Sequence, residues 1–114
     1  MNYFFLVAIS IFTLSACHSQ KAAEKKSAAP SCVQKAIENF SKGTCEKGLN
    51  VKEYTFQGKK VFVFDQSHCG NDMTSEVVDA TCKSLGFLGG FVGNVKINGE
   101  DFSNAVFVKT LWEK

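Results

Sequence analysis

Four cysteines spread through residues 31–114 constrain this chain more than any other feature: Cys32, Cys45, Cys69 and Cys82. A domain of that size buries only a modest share of its surface and commonly needs covalent support. An even number of cysteines in a small exported domain reads as two disulfides. Three pairings are open. The expected one is Cys32–Cys45 with Cys69–Cys82, because each closes a short local loop, stabilising the fold by about 3 kcal/mol in the chain-entropy picture. The helix predicted over Ser31–Lys42 opposes this, since it would hold Cys32 ~16 Å from its far end. The chain must then double back after Gly43. The alternative is a helix pinned to a sheet through Cys69 or Cys82.

That helix follows from Val33, Ile37 and Phe40, which fall on one face at i, i+4 and i+7. Ser31 and Gln34 fit a capping box, and Gly43 fits the position past the C-terminus. Val51–Phe56 and Lys60–Asp65 are rich in β-branched and aromatic residues and flank Gln57-Gly58-Lys59, which predicts a hairpin. Val61–Phe64 is apolar on both faces and is expected at the centre of a sheet. Glu76–Asp79 is either a short strand or a turn of helix. The glycine-rich run Leu85–Asn94 is expected to be a tight apolar loop packed on the sheet. Asn98-Gly99 marks a turn. Val106–Trp112 predicts a last strand with Val106, Val108, Thr110 and Trp112 on one face. The fold class is therefore α+β: one N-terminal helix on a small antiparallel sheet.

The fifth cysteine, Cys17, implies a compartment. It follows an uncharged, mostly apolar run, Tyr3–Leu14, and the small residues of Leu14-Ser15-Ala16. The run is too short for a membrane-spanning helix, which needs ~20 residues. It has the length of a secretory signal's hydrophobic region, with small residues where cleavage falls. Leu-Ser-Ala-Cys resembles a bacterial lipobox, which implies a signal peptide over residues 1–16 and acylation of Cys17. Residues 17–30 hold Ala, Lys, Ser, Gln and Glu but no aromatic or large aliphatic residue, and read as a flexible tether spanning ~20 Å. Residues 31–114 form the single globular domain.

Charge excludes one class of partner. All thirteen basic residues are lysine. Lys21, Lys25 and Lys26 precede the domain, leaving ten lysines within it; Glu24 precedes it too, leaving ten of the eleven acids. A neutral domain without arginine offers no footprint for nucleic acid.

Candidate chemistry is sparse. His68 adjoins Cys69, but adjacent side chains in extended chain point to opposite faces, so a catalytic Cys–His pair is not expected. The cysteines show no C-x-x-C spacing of a zinc site. Asp72, Glu76 and Asp79 lie close in sequence without the spacing of a calcium loop, and an enzyme would need them to converge. No cofactor, metal or catalytic set is expected. Most aromatics must fill the core. Phe87 and Phe91, in the glycine-rich segment, are the candidate binding residues if exposed.

The domain resembles an uncharacterised family of small lipoproteins of bacterial cell envelopes. The matching features are Cys32 before an amphipathic helix, the hairpin ending in Val61-Phe62-Val63-Phe64, Cys69, Val78-Asp79 leading to Cys82, Gly89-Gly90-Phe91-Val92-Gly93, and Asp101-Phe102 before a strand ending in Trp112. The resemblance implies no activity. The expectation is a cell-envelope protein, facing the periplasm or in the outer membrane, anchored through acylated Cys17. Its role is that of a non-catalytic binding or structural module for an envelope protein or component. The alternative is an inhibitor of a cell-wall or protein hydrolase.

Overall fold

The computed structural model describes residues 29–114. Cys17, the preceding apolar run and the tether up to residue 28 lie outside the described residues.

Helix α1 spans Ser31–Ser41. Its cap differs from the expected box: Pro30 precedes the helix and makes no side-chain cap, while its carbonyl accepts from the N–H groups of Val33 and Gln34. Ser31 already lies inside the first turn, so its hydroxyl is not at the capping position. The Gln34 side chain donates instead to the Ala29 carbonyl at 2.6 Å.

Strands β1 (Asn50–Phe56) and β2 (Lys59–Asp65) form the expected hairpin. Its turn is only Gln57-Gly58, with φ of 51° and 73°, and Lys59 belongs to β2. Positive φ at both positions gives a mirror-image turn whose twist matches the strands. β3 (Thr74–Asp79) and β4 (Ser84–Gly89) continue the antiparallel meander. A second small hairpin, β5 (Lys96–Ile97) and β6 (Glu100–Asp101), turns at Asn98-Gly99. The last strand, β7 (Val106–Glu113), returns beside β1. The order is β4-β3-β2-β1-β7, so the meander and β7 form one five-stranded sheet. The fold is α+β, one helix on an antiparallel sheet.

This topology explains why β2 is apolar on both faces. On one face α1 lays Val33 against Val51, Phe62, Phe64 and Val78, with Phe40 and Trp112 at the margin. To pass from the β4 edge to the β7 edge, residues 90–105 cross the other face and bury Ile97 on Phe56, Val61, Val63 and Val77. The central strand is sandwiched between these two layers, and Phe62 is 0% exposed.

Two expectations about the later strands are corrected. Leu85–Asn94 is not one loop: its first half is strand β4. Gly86 makes this workable, because a Cβ there would sit 3.1 Å from Ile97 Cδ1, so glycine lets the crossing segment pack close. In β7 the simple alternation fails. The β1–β7 register slips between Val51 and Lys52 and again between Glu53 and Tyr54, and Leu111 and Trp112 both pack on the helix side.

The disulfides are Cys32–Cys82 and Cys45–Cys69, with Cα separations of 6.1 and 5.6 Å, not the local pairs expected. The reason is the helix. Its length carries Cys32 away from Cys45 and over the end of β3, where Cys82 lies. Cys45, beyond the helix, meets Cys69 in the short 3-10 turn Ser67–Cys69. The first bridge pins the helix to the sheet; the second ties the α1–β1 connection to the β2–β3 connection.

Candidate functional site

Strand register sets one row of side chains across all five strands. Trp112 pairs with Val51, Val51 with Phe64, Phe64 with Glu76, and Glu76 with Phe87. Directly opposed residues hold their Cβ atoms about 5 Å apart on one face. Helix α1 covers the Val51 end of this row. It leaves the β3–β4 end open, and there a hollow of about 470 Å³ lies between helix and sheet. Ala36, Asn39 and Phe40 line its helix side; Phe64, Glu76, Val78 and Phe87 line its floor and far wall, with Gln66 and Cys82.

The Phe40 ring meets Phe64 edge-on at 5.4 Å and Trp112 at 6.1 Å, which fixes the helix wall. Phe87 stands 49% exposed at the rim. A second hollow of about 490 Å³ shares Asn39, Phe40 and Gln66 and continues toward Leu49, Met73 and the Cys45–Cys69 bridge. The two hollows form a groove along the C-terminal half of α1, with a disulfide cysteine at either end. Apolar walls with a few convergent polar groups are the ordinary make-up of a ligand site.

Two other apolar areas are exposed. Phe91 (89%) and Val92 (85%) stand at the tip of the turn after β4. Asn94 braces that turn: its backbone bonds Gly89 in both directions, and its side-chain amide donates to the Phe87 and Lys96 carbonyls at 2.6 and 2.9 Å. Along the β7 edge Val106, Phe107 and Val108 are exposed. The two register slips and Lys109 on this strand are devices that discourage edge-to-edge pairing.

The acids that the sequence grouped together are dispersed. Glu76 faces the helix side of the sheet, since it pairs with Phe64. Asp79, odd-numbered on the same strand, faces the other side opposite Val61. Asp72 lies in the preceding turn with φ of 59°. Cys69 is bonded to Cys45, so it offers no thiolate beside exposed His68. Among the described residues no group of three His, Cys, Asp or Glu side chains is placed to hold a metal ion. From sequence alone Glu76 has no role of its own, because strand and helix are not separable at Glu76–Asp79. Period-2 parity on β3 would have set it apart.

One aspartate signature recurs at three strand ends. Asp65-Gln66-Ser67, Asp79-Ala80-Thr81 and Asp101-Phe102-Ser103 each end a strand with an aspartate that accepts from the N–H two residues on, at 2.8 Å in every case. This is the Asx turn. Burial raises the Asp65 pKa, but hydrogen bonds from Ser67, Ser75 and Asn50 outweigh it and hold the carboxyl below its ordinary 3.8. The Thr81 hydroxyl, together with the Thr81 and Lys83 N–H groups and the Lys83 charge, lowers Asp79. Ser103 and nearby Lys96 lower Asp101.

Fold and groove thus define a small, doubly cross-linked α+β domain with a ligand-sized hollow beside its helix. Residues 37–114 match the family described as a domain of unknown function, DUF6970, and the chain belongs to that family. The match takes in the groove-lining residues from Asn39 to Phe87. No curated protein and no solved structure matches the chain.

Proposed function

We propose that this is a cell-envelope protein anchored in the membrane through acylated Cys17, and that its domain is a non-catalytic binding module for an envelope component. The observation that carries the reading is the groove along α1. It combines aromatic walls with the polar ends of Asn39, Gln66 and Glu76, and disulfide cysteines fix both its ends. Two disulfides accord with an oxidising compartment outside the cytosol. Cross-linking in intact envelopes, with wild type beside F87A and E76Q, tests the reading. One partner is expected to be captured by wild type and lost with either variant; equal capture by all three rules out the groove. Mass analysis of the unreduced protein tests the anchor, with acylated Cys17 expected at the N-terminus.

The second reading, an inhibitor of a cell-wall or protein hydrolase, is favoured by Phe91 and Val92. A braced turn with an apolar tip suits insertion into a recessed pocket at small entropic cost. Inhibition of lysozymes or proteases that disappears in F91S would establish it.

A further inference from the structure

Glu76 is the only charged side chain among the described residues lining the hollow between α1 and β3–β4. Its strand partners are both aromatic, Phe64 on β2 and Phe87 on β4. A carboxylate between two phenyl rings is the arrangement that a desolvated ammonium satisfies. The charge pairs with the carboxylate, and the ring faces attract the same cation. A hydrocarbon stem behind the ammonium would lie along Phe40 and Val78. Among the described residues no lysine or histidine lines the hollow to supply that cation from within.

The rest of the groove specifies what carries the ammonium. Beyond Asn39 and Gln66 it continues into the second hollow, beside Leu49 and Met73. A side-chain amide offers both an N–H donor group and a carbonyl acceptor, the two functions that a peptide group pairs with. A free amine would fill the first hollow alone and leave the second empty. An extended peptide fills both.

Resting on the reading of this groove as the binding site, we infer that it takes an extended peptide segment of a partner protein. The peptide places a lysine ammonium at Glu76 between Phe64 and Phe87 and an apolar side chain in the Leu49–Met73 hollow.

The test is a titration of the oxidised full chain followed through Trp112, the only tryptophan, whose ring packs on groove-lining Phe40. The probes are the capped peptide Ala-Lys-Ala-Leu-Ala, its norleucine-for-lysine analogue and n-butylamine. The lysine peptide is expected to saturate the signal, with the analogue weaker by about tenfold or more, the size of one charge-assisted contact. E76Q, a near-isosteric change on the surface of the groove, is expected to erase that difference while leaving the melting temperature in place. Equal binding of the norleucine analogue overturns the ammonium assignment and leaves the groove standing. Binding of n-butylamine as tight as that of the peptide overturns the peptide. No response to any probe overturns the inference, and the cross-linking comparison of wild type with F87A and E76Q then decides whether the groove is the binding site.

Discussion

The Ser75 hydroxyl donates to the Asp65 carboxylate at 3.0 Å, joining β3 to the end of β2 where the chain leaves the sheet. Asp65 also accepts from the Ser67 N–H at 2.8 Å. These bonds favour the ionised form, so its pKa lies lower folded than unfolded. A depressed carboxylate contributes stability that is present above the unfolded value and is lost as pH falls through the folded one. Urea midpoints are therefore expected to fall as pH drops below about 4, with a shallower fall in D65N. An unchanged slope in D65N would show that other carboxylates carry the acid sensitivity.

The two bridges contribute unequally. Cys32–Cys82 closes a separation of 50 residues and Cys45–Cys69 one of 24. In the chain-entropy picture these correspond to about 4 and about 3.5 kcal/mol. Replacing Cys32 and Cys82 by serine is expected to lower stability more than replacing Cys45 and Cys69. Denaturant titration of the two double variants checks the order, and peptide mapping without reduction checks the pairing itself.

Aromatic residues of the same type differ sharply in what they support. Phe62 is fully buried beneath α1 on the helix face of the sheet, and F62A should cost ~3–5 kcal/mol through lost burial and the cavity left behind. Phe91 projects from the tip of its turn, and F91S is expected to leave stability within about 0.5 kcal/mol. A comparable loss in both would mean that the tip packs on something in the folded protein.

Gly90 begins the turn that presents Phe91. Its φ is +77°, and a Cβ there would come within 2.8 Å of Thr74 Cγ2. G90A is expected to cost on the order of 1 kcal/mol or more, since both the backbone conformation and the space favour glycine. Pairing it with T74S, which removes the opposing methyl, should restore part of that loss. No recovery would place the cost in the backbone alone.

Several elements were legible because the signal is local. Apolar spacing at Val33, Ile37 and Phe40 is enough to predict a helix. Alternating β-branched and aromatic residues around Gln57-Gly58 are enough to predict a hairpin. Apolar residues on both faces of Val61–Phe64 require a strand covered on both sides. The glycine-rich segment misled because glycine weakens a strand in isolation, whereas Gly86 is needed only where Ile97 crosses over it. Phe87 and Phe91 were identified as candidates, yet their roles separate: one rims the groove and the other tops a turn. Glu76 acquires significance only when β2 and β4 set phenylalanines on either side of it.

The sequence alone determined the fold class, the number of cross-links and the placement of the central strand, because burial periodicity and cysteine parity are written along the chain. Tertiary structure decided which cysteines meet, which face each acid takes and where the groove lies. Each of these depends on residues far apart in sequence. Cys32 reaches Cys82 only when the helix is rigid and docked, and the Phe64–Glu76–Phe87 row exists only once strand register brings three segments side by side.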